Sequence, residues 1–109
     1  MSYSYTRKGL EDQVAINPTI GTLHLLLADT EYYYTLPAGV KKFMAHTRDE
    51  TPWRLAFTTG HVAAPTEPYY TVPANTRYYE DLIIGTGSIY LFAASDVADK
   101  CLEVIYWTG

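Results

Sequence analysis

A seven-residue string occurs twice in this chain, and the repetition limits the folds available to it. Tyr33-Tyr34-Thr35-Leu36-Pro37-Ala38-Gly39 returns 36 residues later as Tyr69-Tyr70-Thr71-Val72-Pro73-Ala74-Asn75. The same offset sets Lys41-Lys42-Phe43 against Arg77-Tyr78-Tyr79, and Trp53-Arg54-Leu55-Ala56-Phe57 against Ile89-Tyr90-Leu91-Phe92-Ala93. Each copy reads as strand, Pro-Ala-Gly/Asn turn, strand, loop, strand. Gly and Asn are the residues that best tolerate positive φ, so their equivalence predicts one turn geometry at both sites.

The rest of the chain supports strands. Phe43, Ala45 and Thr47 alternate with Lys42, Met44 and His46, and the polar members of the second set place it toward solvent. Trp53, Leu55 and Phe57 alternate with Arg54, Ala56 and Thr58, as in a strand with one buried face. Ser88 to Ala94 is apolar on both faces and reads as a central strand. Cys101 to Trp107 sets Leu102, Val104 and Tyr106 against Cys101, Glu103, Ile105 and Trp107. Thr22 to Ala28 is a short apolar run for which strand is favoured and helix remains open. Asp49-Glu50-Thr51-Pro52 and Gly85-Thr86-Gly87 are turn clusters, and Gly60 to Pro68 has no period and reads as a loop.

About eight short strands separated by turn chemistry predict an all-β antiparallel β-sandwich. The two strand–turn–strand–strand halves suggest a jelly roll of two Greek keys. With 109 residues there is room for one core. Residues 1–20 lack any sustained period and are expected to form an extended N-terminal arm, with a short strand around Gln13 to Ile16. The sandwich is expected over 21–109. Tyr3 and Tyr5 would anchor the arm, either on its own domain or on a neighbouring subunit.

Composition excludes several roles. Hydrophobic residues make up 48% and charged residues 18%, which argues for a folded globule. The net charge is −4 with no concentration of Lys or Arg, so nucleic acid is not an expected partner. No apolar run approaches the ~20 residues of a membrane helix, and no secretory signal is visible at the N-terminus. Cys101 is the single cysteine, expected to be a buried, inert thiol in a protein made in a reducing compartment.

Catalytic patterns are missing. His24, His46 and His61 are scattered, without the spacing of a metal site, so no metal or cofactor is expected. Asp49 is expected to cap its own turn. Glu80 and Asp81 lie in one strand and point to opposite faces, which prevents them acting as a pair. Gly85-Thr86-Gly87-Ser88 lacks the Lys and following helix of a phosphate loop. There is no Gly-x-Ser-x-Gly elbow. The chain is therefore not expected to be an enzyme.

Surface recognition is left. Eleven tyrosines against three phenylalanines fit two readings, extended contact surfaces or half-buried strands. Trp53 is expected in the core, and Trp107 over an edge or at a subunit contact. The residues expected to form an interaction surface are Tyr3, Tyr5, Tyr32, Tyr78 and Trp107.

The duplicated Leu/Val-Pro-Ala-Gly/Asn turn, the Trp53-Arg54-Leu55-Ala56-Phe57 strand, the Ser88-Ile89-Tyr90-Leu91 run and the closing Val104-Ile105-Tyr106-Trp107 resemble small tailed-bacteriophage virion proteins. The resemblance covers Glu31 to Gly109. It implies a compact β-sandwich of the head decoration or cement type, binding the outside of a capsid as a dimer or trimer. Its partners would be copies of itself and the major capsid or another virion protein. Its location would be the virion, after synthesis in the host cytoplasm. The resemblance supplies no site residues. The competing expectation is a carbohydrate-binding β-sandwich module of a tail, fibre or glycan-active protein, with a glycan as partner. A metal-dependent cupin-like enzyme is a distant third.

Overall fold

The computed structural model describes residues 17–81, 83, 85 and 87–108. Among them are eight strands and no helix: β1 (Asn17–Leu25), β2 (Tyr32–Leu36), β3 (Val40–Thr47), β4 (Trp53–Ala56), β5 (Tyr70–Val72), β6 (Tyr78–Glu80), β7 (Ile89–Ala94) and β8 (Lys100–Thr108). They form two four-stranded antiparallel sheets, a β-sandwich. The first sheet has the order β1-β8-β3-β6 and the second β2-β7-β4-β5. No helix among the described residues is long and apolar enough to cross a membrane.

The pairing is nested. β1 pairs with β8, β2 with β7, β3 with β6 and β4 with β5. The chain therefore runs as one long hairpin that doubles back between β4 and β5. Two further ladders, β3 with β8 and β4 with β7, gather the hairpin into two sheets.

The repeat explains part of this layout. Its first copy is β2–β3–β4 and its second is β5–β6–β7. Exchanging the copies leaves the strand order of the second sheet unchanged, read backwards. Both Pro-Ala-Gly/Asn turns cross from the second sheet to the first. Gly39 has φ +94° and Asn75 has φ +59°, the left-handed geometry that the repeat predicts. The residue before each Pro, Leu36 or Val72, is buried in the core.

The core lies between the sheets. Leu25, Phe43, Trp53, Leu55, Leu91 and Leu102 are almost wholly buried there. Phe43, Ala45 and Thr47 face inward as the alternation predicts. The buried Thr47 hydroxyl donates to the Thr51 carbonyl at 2.6 Å, which satisfies it at the start of the turn.

Several boundaries differ from expectation. Residues 17–20 pair with β8 and so belong to the sandwich, because strand pairing outweighs the weak period of this segment. The expected strand around Gln13 to Ile16, and Tyr3 and Tyr5, lie outside the described residues. The apolar run from Thr22 is strand only to Leu25, and Leu26 and Leu27 are exposed. Phe57 falls past the end of β4 and is exposed, whereas Ala56 on the outward side is buried. The cause is the loop 57–69, which folds back over the outer face of the second sheet. Val62 is fully buried there with Ala56 and Ala94. Arg54 holds the loop, its Nε donating to the Val62 carbonyl at 2.6 Å and its Nη2 to the Ala63 carbonyl at 3.3 Å. Nη2 also donates to Asp29 Oδ1 at 2.9 Å.

Candidate interaction surface

Strand alternation and register together build the outer face of the first sheet. Because Leu25, Ala45, Leu102 and Val104 point inward, Ile20, Met44 and Ile105 must point outward. Register then aligns them. Ile20 pairs with Ile105, Ile105 with Met44, and Met44 with Tyr79. One apolar row therefore crosses all four strands on the solvent side. Ile20 is 74% exposed and Tyr79 54% exposed, so the ends of the row are uncovered.

The flanking rows are polar. On one side register sets Thr22, Glu103 and His46 in line, with Arg77 closing a depression of about 310 Å³ beside them. Glu103 accepts from Arg48 Nε at 2.8 Å and lies 3.1 Å from His46 Nε2. The hydrogen bond from Arg48 holds the Glu103 carboxyl below its ordinary range, with the charges of Arg48 and His46 adding to it. On the other side stand Pro18, Trp107 and Lys42, and Lys42 Nζ sits 4.6 Å from the centre of the Trp107 ring.

The second sheet carries a different patch. Tyr33 packs against Phe92 and Tyr90, with ring centres 5.8 Å and 6.4 Å away, and Tyr33 and Tyr90 are exposed. Where the sheets part near β6, a cleft of about 510 Å³ is lined by Phe43, Phe57, Ile83 and Ile89, with Glu80 at its margin. Tyr78 donates to Glu80 Oε2 at 3.0 Å. Burial first, and then the Glu80 carboxylate, push the Tyr78 phenol up to about 12. It stays protonated near neutral pH and offers no base.

The sequence-predicted surface residues separate in the structure. Tyr32 is half-buried on the inward side of β2, and its hydroxyl accepts from Leu27 N at 3.0 Å. Tyr78 is half-buried and packs against Phe43 and Tyr70. Trp107 is half-buried on the outer face described above. Cys101 lies on the same face and is half-buried, not fully buried, because β8 alternates it outward with Glu103. Trp53 is in the core, as expected. The residues that sequence reasoning passed over are Ile20, Met44, Ile105 and Tyr79. Each is outward by alternation, but only register reveals that they adjoin.

The titratable groups are dispersed. His24 pairs with Asp99 at 2.6 Å, and His61 Nδ1 lies 2.8 Å from the Thr66 carbonyl. No group of three metal-ligating side chains occurs among the described residues. Asp49 accepts from Thr51 Oγ1 at 2.9 Å, capping its own turn as expected, and also pairs with Lys100. The hydrogen bond from Lys100, followed by that from Thr51, lowers the Asp49 carboxyl from 3.8 to about 2.

That shift has a definite sign. A carboxyl depressed on folding stabilises the fold above its unfolded value and loses the contribution as pH falls toward its folded value. The urea midpoint of the native chain is therefore expected to fall between pH ~4 and ~2. Asp49→Asn should flatten that part of the profile and lower the midpoint at neutral pH. An unchanged profile would mean that the pair with Lys100 contributes nothing in solution.

No protein-family model, curated protein or solved structure matches the chain.

Proposed function

We propose that this chain is a structural, non-catalytic protein that acts through protein–protein contacts. Its role would be the one its sequence resemblance implies, a decoration or cement protein on a bacteriophage capsid. In this reading the sandwich is wound as a jelly roll, which the nested pairing of β1–β4 with β8–β5 supports. The observation that carries the proposal is the apolar row Ile20–Ile105–Met44–Tyr79 on the solvent side of a sheet. A contiguous apolar strip bordered by charge costs solvation free energy until something covers it, and this anatomy is that of an interface. On a capsid, many modest contacts add through multivalency.

The test is co-sedimentation with capsids stripped of decoration. The native chain should pellet with them. Ile20→Glu, which places charge on an exposed strand position and leaves the core intact, should bind at least ~10-fold more weakly. A native chain that binds neither capsid nor any other virion protein would remove the proposal.

One observation favours a second reading. The exposed rings of Tyr33 and Tyr90, backed by the half-buried Phe92, offer aromatic surface on the second sheet to a sugar ring, as a carbohydrate-binding module would. Glycan binding lost in Tyr33→Ala and Tyr90→Ala, without capsid binding, would select it.

A further inference from the structure

We infer that the outer face of the first sheet is covered by a second copy of this chain. The two copies would be related by a two-fold axis lying in the interface, parallel to the strands and midway between β8 and β3. The inference names the occupant of the surface on which the proposed function rests.

The face is self-complementary. A two-fold axis along the strands keeps each cross-strand row at its own height and reverses its order, so β8 lies over the partner's β3, and β1 over the partner's β6. Ile105 then meets the partner's Met44, and Ile20 meets the partner's Tyr79. Both are apolar contacts, and each occurs twice. In the polar row, Glu103 lies over the partner's His46 and repeats across the interface the contact seen at 3.1 Å within one chain. In the last row, the Trp107 ring lies over the partner's Lys42 and repeats across the interface the contact seen at 4.6 Å within one chain. An axis running across the strands fails this comparison. It would bring His46 over the partner's Lys42 and Glu103 over the partner's Trp107, and so lose the ring–ammonium contact across the interface.

Area is marginal. β1, β8, β3 and β6 carry 9, 9, 8 and 3 residues, and at about 4.8 Å by 3.3 Å each these cover roughly 460 Å² per copy. Doubled, this falls just below the ~1,000 Å² floor of a specific interface. Packed sheets cross at about −30°, which preserves the central contacts better than those at the corners. The dimer is accordingly a weak one that forms at micromolar concentration and gains strength on a lattice, where two copies bind as one unit. A closed two-fold pair also covers the apolar row on both copies, so that row is not left to propagate a filament.

The deciding experiment uses the full chain carrying Cys101→Ser, with Ile20→Cys and Tyr79→Cys added singly and together. Facing positions on packed sheets lie about 10 Å apart, beyond the ~7 Å that a disulfide spans, so a short bis-maleimide is used to bridge the thiols. With it the double variant should give a covalent dimer, and each single variant, whose two thiols lie at opposite edges of the interface, should remain monomeric on a denaturing gel. Light scattering of the native chain should show a mass that rises with concentration toward twice 12.3 kDa, and Ile20→Glu should abolish the rise. Crosslinking by Ile20→Cys alone would overturn the axis, because only an axis across the strands brings Ile20 to Ile20. A constant monomer mass with no crosslink in the double variant would overturn the dimer. If capsid co-sedimentation persisted in that case, the structural role would stand with the capsid itself as the occupant of the face.

Discussion

Trp53→Ala is expected to cost about 3–5 kcal/mol, while Trp53→Phe costs under ~1.5 kcal/mol. Trp53 is 2% exposed on the inward face of β4 and is the largest side chain in the core. Truncation leaves a cavity that neighbours on two sheets cannot fill by collapse, so both the transfer and cavity penalties apply. Against a total stability of about 5–15 kcal/mol, the alanine variant should melt ~10–25 °C lower, or fail to fold at physiological temperature. The phenylalanine variant separates volume from polarity. The indole Nε1 is buried without a hydrogen-bond partner among the described residues, which left so costs its N–H a desolvation penalty of about 1–3 kcal/mol. Phenylalanine removes that penalty along with part of the ring, and the two changes oppose each other. Thermal melts of both variants check this. A phenylalanine variant as unstable as the alanine one would show that the indole N–H is satisfied in solution.

Gly21→Ala is expected to destabilise by about 1–3 kcal/mol, the reverse of the usual result in a strand. Replacing a strand glycine with alanine ordinarily stabilises by about 0.4–1 kcal/mol, through a less flexible unfolded chain. Here a Cβ on Gly21 would sit 2.0 Å from Tyr34 Oη and 2.5 Å from its Cζ. The Tyr34 ring projects inward from β2 and lies across β1, so it closes the side of the sandwich where the two sheet edges meet. Burial, and then Tyr106 beside it, raise the Tyr34 phenol above its ordinary value, in keeping with an enclosed position. The ring is rigid and the contact involves its body as well as the hydroxyl, so rotation of one bond does not relieve the clash. Tyr34→Leu should be mildly destabilising alone and should rescue Gly21→Ala. A coupling energy near zero in the double-mutant cycle would sink the account.

Much of this architecture follows from local patterning. Inward and outward residues of β3, β4 and β8 follow alternation, since a period of two fixes which side chains share a face. The two turns follow from the repeat, because Gly39 and Asn75 occupy the one position that needs positive φ. Asp49 reads as a turn cap because its partner Thr51 is two residues away. Each of these depends on neighbours close in the chain.

The surface follows a different rule. Ile20 and Tyr79 are 59 residues apart in sequence, and neither carries a local mark of its place at opposite ends of one row. Ala56 reads as solvent-facing by alternation, but the loop 57–69, held by Arg54, buries it. The sequence alone determined strand faces, turn geometry and an all-β sandwich, because these arise from side-chain period and backbone sterics within a few residues. The tertiary structure decided the order of strands, the cover over Ala56, the ring over Gly21 and the apolar row across the first sheet. Those depend on register between distant strands, where a shift of one residue would turn every outward side chain of a strand inward.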